Sequence, residues 1–402
     1  MPTIRRRPVL RAVLAAACSA LAGCGGLTDG RRAPVTAAEA PSPAPAAPSS
    51  GPTIGSGSVK VAVILPLTGP GQAASAATSL RNAADLAMAE FSGADLTLLV
   101  KDDRGTADGA RGATAASLAE GAELIVGPLF APAVAAAGTV ARDGGRSVIA
   151  FSTDVGVASR GVYLLSFLPQ SETARVIDYA AAQGRRSFAA LIPDTVYGTV
   201  VEAEFREAAA RRGARVAAIE RYPAGQPGPA VQRLGPVLAG PTPSVDAIFI
   251  PAGPEDLPAV GTALGGVGFD PKRVKPLGTG LWSDPRTVRV PALAGGWYAA
   301  PDPAGFTTFA GRYRARFGSE PARIATLAYD AVSLAAALAR KPAGERFTDA
   351  TLGASSGFAG ADGAFRFRAD GTNERALAVN QVGPDGPAVV SPAPKVLGPP
   401  GT

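Results

Sequence analysis

The residues able to do chemistry in this chain are few, and their positions are regular. Thr68, the pair Asp102 and Asp103, and then Ser152, Thr153 and Asp154 each follow a run of aliphatic and β-branched residues. Tyr197 follows a further such run, and Leu129, Phe130 and Gly253 stand just after others. Hydroxyls and carboxylates at such points can hydrogen-bond or pair charges with a ligand, and apolar neighbours can shape a pocket around it. The bland alternative is local: Thr68, Ser152 and Thr153 are residue types common in strand–helix turns, and Asp154 either lines a cleft and binds a cationic group or caps the next turn. Tyr197 covers a ligand or is a buried tyrosine whose hydroxyl needs a partner.

Covalent catalysis is poorly served. The sequence contains no histidine, which removes Ser-His-Asp and Cys-His chemistry and any histidine base. Both cysteines, Cys18 and Cys24, lie near the start of the chain, so a transition-metal site is not expected. There is no G-x-x-x-x-G-K-[ST] loop and no G-x-G-x-x-G after a strand. "GGVGFD" (265–270) follows a helix-like stretch and reads as a loop. "DDRGTAD", beginning at Asp102, lacks EF-hand spacing and reads as a strand end followed by a helix cap. Paired carboxylates could hydrolyse a glycoside, but nothing singles out such a pair. The expectation is recognition without catalysis, with no metal and no cofactor.

The elements that must position these residues alternate along residues 59–385. Strand candidates are 59–67, 95–103, 123–129, 146–153, 187–194, 214–222, 246–253, 275–280 and 295–301. Several are almost continuously apolar, as strands buried on both faces of a parallel sheet must be. Between the first two, Leu80, Ala84, Ala87 and Phe91 recur at spacings of four, three and four, which is one face of a helix. The rhythm predicts an α/β fold with parallel sheets. Roughly 325 residues exceed what one core usually holds, so two lobes are expected. Open parallel sheets place ligands at the carboxyl ends of their strands, where the polar residues above fall. Trp282 and Trp297 read as packing residues, and Tyr329 and Asp330 as residues that pack a helix against a sheet.

The amino terminus reads differently. Arg5, Arg6, Arg7 and Arg11 precede an uncharged run, 12–22, too short for the ~20 apolar residues of a membrane span. This is the form of a secretory signal, expected over 1–23. Leu21-Ala22-Gly23-Cys24 resembles a bacterial lipobox, which implies cleavage before Cys24 and lipid attachment to its thiol. Gly25 in place of Asp implies the outer rather than the inner membrane of a Gram-negative cell. The formal net charge is +6, from 39 basic and 33 acidic residues. Four of those basic residues and no acidic ones lie in 1–23, so the rest carries 35 − 33 = +2, and no clustered basic face points to nucleic acid. Residues 24–57 are rich in Pro, Ala, Ser and Gly and read as a tether; 386–402 read as a flexible tail.

The order "VAVILPLTGPG", "DLTLLVKDDRGTADGA", "ELIVGPLFAPAV", "VIAFSTD", "FAALIPDTVYG" and "TLAYDAVSLAAALA" resembles the type I periplasmic binding proteins of the Leu/Ile/Val-binding branch, over about 58–385. The resemblance implies a clamshell: lobe 1 from 58–168 plus 299–339, lobe 2 from 169–298 plus 340–385, with a ligand trapped between. It also implies hydroxyl donors for a ligand carboxylate after the third and fourth strands, and a second-lobe acid for an ammonium. Those positions fall at Ala131, Asp154 and near Gly280, so the amino-acid clamp is largely missing, while Tyr197 matches the covering aromatic. "IVGPLFAPAV", "YLLSFLPQSETAR" and "ALIPDTVYG" are also similar to the penicillin-binding-protein activator lipoproteins. That similarity implies a peptidoglycan synthase as partner, and is the reading the sequence favours. The alternative is the substrate-binding component of an ABC importer for amino acids or a related small polar solute, with an ABC permease as partner.

Overall fold

The computed structural model describes residues 52–91 and 93–398. Cys24 and the expected signal lie outside them, as does most of the tether.

The apolar runs become strands buried on both faces. In the first sheet, β1 (Thr53–Gly55), β2 (Val59–Leu65), β3 (Leu96–Asp102), β4 (Ala122–Val126), β5 (Ser147–Ala150) and β6 (Val162–Leu164) stand in the order β1-β3-β2-β4-β5-β6. All neighbours are parallel except the edge pair β1–β3. Along β2, Val61, Val63 and Leu65 enter one core, and Ala62 and Ile64 enter the core on the opposite face. Each of the Val, Ile and Leu side chains contributes ~1.5–3 kcal/mol of hydrophobic stabilisation. Helices α1 (Gln72–Glu90), α2 (Ala107–Ala119) and α3 (Ala131–Asp143) cover the faces. Leu80, Ala84 and Ala87 are buried on α1 as their spacing predicts, while Phe91 is its half-buried cap residue.

The chain then crosses through 165–168 into α4 (Pro169–Ala182). The second sheet follows with β7 (Ser187–Pro193), α5 (Val196–Arg211), β8 (Arg215–Tyr222), α6 (Gly228–Leu238), β9 (Ala247–Phe249), α7 (Leu257–Gly266), β10 (Lys275–Gly278) and β11 (Trp297–Ala300). These strands are parallel, with β8 at the edge. Alternation again sorts the side chains: Ala189 and Leu191 face one core, and Phe188, Ala190 and Ile192 the other.

A second crossing, 301–302, leads into α8 (Pro303–Phe317) and α9 (Ala325–Leu338), whose apolar faces join the core of the first lobe. Short α10 (Asp349–Leu352) and a small antiparallel sheet, β12 (Phe358–Gly360), β13 (Gly363–Phe367) and β14 (Asn373–Arg375), stay with that lobe. Residues 376–377 cross a third time, and β15 (Ala378–Gly383) and β16 (Gly386–Ser391) extend the second sheet antiparallel to β11.

This corrects three expected boundaries. Residues 340–375, expected in lobe 2, pack on lobe 1, because Phe347, Leu352, Phe365 and Phe367 are buried in its core. Residues 386–391, expected as flexible tail, pair with β15, which supplies their backbone hydrogen bonds. Residues 53–55, expected in the tether, pair with β3. The architecture is a two-lobed α/β clamshell.

Candidate ligand-binding site

The first crossing fixes where the two lobes meet. It leaves the carboxyl end of β6, and Glu172 in the first turn of α4 accepts a hydrogen bond of 2.9 Å from the Gly280 N–H, just after β10. In a clamshell of parallel sheets, strand direction puts the ligand crevice at the carboxyl ends of the strands.

On the first lobe, several expected ligand groups bond to one another. The Thr68 N–H and hydroxyl both donate to Asp102, at 3.2 and 2.5 Å, and the Arg104 N–H donates at 2.9 Å. Burial acts to raise the Asp102 carboxyl, but these hydrogen bonds outweigh it and hold the group below its ordinary value. Ser152 is buried and its hydroxyl accepts the Asp154 N–H at 3.1 Å, and Asp154 accepts the Gly156 N–H at 2.9 Å. The capping reading of Asp154 is thus the one its geometry satisfies. Thr153 is exposed and its hydroxyl has no partner among the described residues. Leu129 is half-buried, and the exposed Phe130 ring lies over Gly105. Asp103 is fully buried, and burial pushes its carboxyl up to about 6; one oxygen accepts the Gly105 N–H at 2.8 Å and the other has no partner.

On the second lobe, Thr195 caps α5 through the Gly198 N–H and so sets Tyr197 in the first turn. The Tyr197 hydroxyl bonds to the Thr279 hydroxyl at 2.8 Å, and burial raises its pKa above the ordinary value. Gly253 leaves open space beside the end of β9. Trp282 is buried beneath Gly278, and Trp297 packs edge-on against Tyr179, so both pack as expected.

Glu172 is the group sequence reasoning missed. It is 6% exposed, and the Gly280 N–H is its one hydrogen-bond donor among the described residues. Burial, opposed by that bond and by the Arg323 charge, pushes its carboxyl up to about 7. A Cβ at Gly280 would run into this carboxylate. The carboxylate beside Gly280 thus comes from α4, and it fills the space a side chain at 280 would take. In sequence Glu172 looks like an ordinary acid in a first helical turn, favourable to the helix dipole. Its only unusual signal is its place just after the crossing.

Arg323, between α8 and α9, is the cation whose charge acts on Glu172. Its guanidinium pairs with Asp362 at 2.8 and 2.9 Å and stacks on Phe167 and Phe306 at 4.6 and 4.7 Å. Phe130, Val155, Val196 and Leu281 are 38%, 37%, 84% and 40% exposed; they follow β4, β5, β7 and β10, among exposed polar residues such as Thr68, Arg104, Thr153, Asp154 and Thr195. Apolar side chains left in water on both sides of a cleft are surface to be buried on closure. Among the described residues no group of acidic side chains could hold a metal ion.

Comparison with known proteins agrees with this geometry. The model of the periplasmic binding protein family matches residues 58–387, and the chain belongs to that family. Membership implies an extracytoplasmic location. Among solved structures, the chain resembles a candidate branched-chain amino acid ABC transporter protein of Rhodospirillum rubrum at 23% identity and TM-score 0.72, covering 83% of this chain and 99% of that one. An ABC transporter substrate-binding protein of Sphaerobacter thermophilus matches at 21% identity and TM-score 0.68, covering 84% and 98%. A solute-binding protein of Rhodopseudomonas palustris BisB5, solved with 3,4-dihydroxybenzoic acid, matches at 21% identity and TM-score 0.61, covering 80% and 92%. At these identities the likeness is one of fold. No curated protein matches the chain.

Proposed function

We propose that this chain is the solute-binding component of an ABC importer, closing its lobes on a small molecule that has an apolar body and an ammonium or other N–H-donating group. The observation that carries this reading is Glu172: a buried carboxylate with one hydrogen bond, just beyond the carboxyl end of β10, with Phe130, Val155, Val196 and Leu281 exposed after neighbouring strands. A buried charge without a partner is costly, and a donor group on the ligand relieves that cost. Contacts to both lobes give the closed state its higher affinity, which drives closure. The contacting set we assign is Glu172, Tyr197, Thr279, Thr153, Phe130 and Leu281. Thr68, Asp102, Ser152 and Asp154 hold the surrounding turns, with Leu129 and Gly253 shaping the walls.

The solved relatives named as ABC transporter proteins support the importer reading over synthase activation. With Cys24 as a lipid anchor, the chain would present the solute to an ABC permease. The test is calorimetric titration of the purified protein with leucine, isoamylamine and benzoate. Binding of isoamylamine or leucine, with a stabilisation that grows with ligand concentration, is the expected result. Absence of solute binding together with capture of a peptidoglycan synthase would overturn it.

A further inference from the structure

A second charged cavity lies at the other end of the first sheet, away from the crevice. It has a volume of about 700 Å³ and opens at the amino ends of β4 and β5, between the end of α3 and the segment 343–349. Four guanidiniums line it, those of Arg142, Arg146, Arg160 and Arg346, against two carboxylates, Glu123 and Asp349. The lining therefore carries 4 − 2 = +2 formal charges.

Two of the four arginines are neutralised. Arg346 pairs with Glu123 at 3.2 Å and Arg160 with Asp349 at 2.6 Å. The other two are not. Arg142 reaches only the Ser159 hydroxyl, at 3.5 Å, and the Arg146 guanidinium has no partner among the described residues. Arg346 adds a buried Nε that makes no hydrogen bond. The floor is fixed: the Ser147 hydroxyl donates to the Phe347 carbonyl at 2.9 Å, tying the segment 343–349 to the start of β5.

Guanidinium forks are matched by groups with several acceptor oxygens in one plane or on one centre, and bidentate pairing makes the contact both strong and directional. A single carboxylate brings one charge and two oxygens. A phosphate brings nearly two charges and three or more oxygens, enough for both free forks and for the residual charge. We propose that this cavity binds a phosphate-bearing anion, free in solution or displayed as a lipid headgroup, with Arg142 and Arg146 as its principal ligands.

The test uses inorganic pyrophosphate in calorimetry, and flotation with vesicles of phosphatidylglycerol or of phosphatidylcholine, all at low ionic strength, since exposed charges are screened by salt. The protein variants are Arg142→Ala/Arg146→Ala and a charge-matched control on the second lobe, Arg206→Ala/Arg233→Ala. The expected result is binding that weakens at least tenfold in the first pair and is retained in the control. Pyrophosphate binding marks a free anion as the source; binding to phosphatidylglycerol vesicles alone marks the headgroup. Both support the cavity. Binding to neither probe overturns the proposal, as does an equal loss in the control, which would reduce the effect to net charge. Solute binding in the crevice is read separately in the same samples.

Discussion

Replacing Glu172 with Gln tests the site from two directions at once. In the free protein the carboxyl is raised from an ordinary 4.5 to about 7, and at 6% exposure little solvent screens it. Below pH 4.5 the group is neutral in both folded and unfolded chains and costs nothing. As pH rises from 4.5 to 7 the unfolded chain ionises while the folded protein stays protonated, so stability falls across that window. Above pH 7 the accumulated cost is about 3 kcal/mol, at about 1.4 kcal/mol per pH unit. Glutamine keeps an acceptor for the Gly280 N–H and carries no charge. Glu172→Gln is therefore expected to be more stable than the wild type at pH 8 by up to about 3 kcal/mol, and indistinguishable from it at pH 4. Urea unfolding at the two pH values measures this. The ligand responds with the opposite sign. Truncating one partner of a buried charge pair costs about 2 kcal/mol or more, so isoamylamine should bind at least ~30-fold more weakly to the variant. Wild-type affinity should fall by up to about tenfold per pH unit well below pH 7, with proton release on binding. A variant that binds the amine as tightly as wild type, with the same pH profile of stability, would refute the assignment of Glu172.

Three further outcomes follow from particular contacts. Gly280→Ala places a methyl in the space of the Glu172 carboxylate; amine affinity should drop as in Glu172→Gln, but with a stability loss of about 1–3 kcal/mol from overpacking, read by urea unfolding. Arg375→Ala removes the buried cation 3.6 Å from Asp330, whose carboxyl burial already pushes up to about 7. The expected cost is about 3–5 kcal/mol at pH 8 and less at pH 5, where Asp330 is protonated. In cells fed labelled palmitate, Cys24→Ser should lose the label and accumulate as the longer, uncleaved chain on a denaturing gel.

Much of the fold was legible because two-faced burial leaves its mark on composition. A strand such as β2 is apolar at every buried position, with Lys60 its one half-buried residue, and α1 repeats its small apolar residues every three or four. The closing elements were less legible. β16 has no buried residue, and β12 and β14 are three residues each, too short to read as strands from their pattern. Their place is set by backbone pairing and by Phe365 and Phe367 entering a core built from distant residues. Expected ligand residues such as Thr68, Asp102 and Asp154 do lie after the carboxyl ends of strands, yet the hydrogen bonds of Thr68 and Asp102 close on each other and that of Asp154 on its own turn.

The sequence by itself determined the alternation of strand and helix, the histidine-free chemistry and the carboxyl edge at which a ligand would lie, because each is written in local residue types and their spacing. Only the tertiary structure decided which acid lies beyond the end of β10. Glu172 and Gly280 are joined by a 2.9 Å hydrogen bond across 108 positions of chain, and the raised pKa of that carboxyl comes from burial, which no local pattern records.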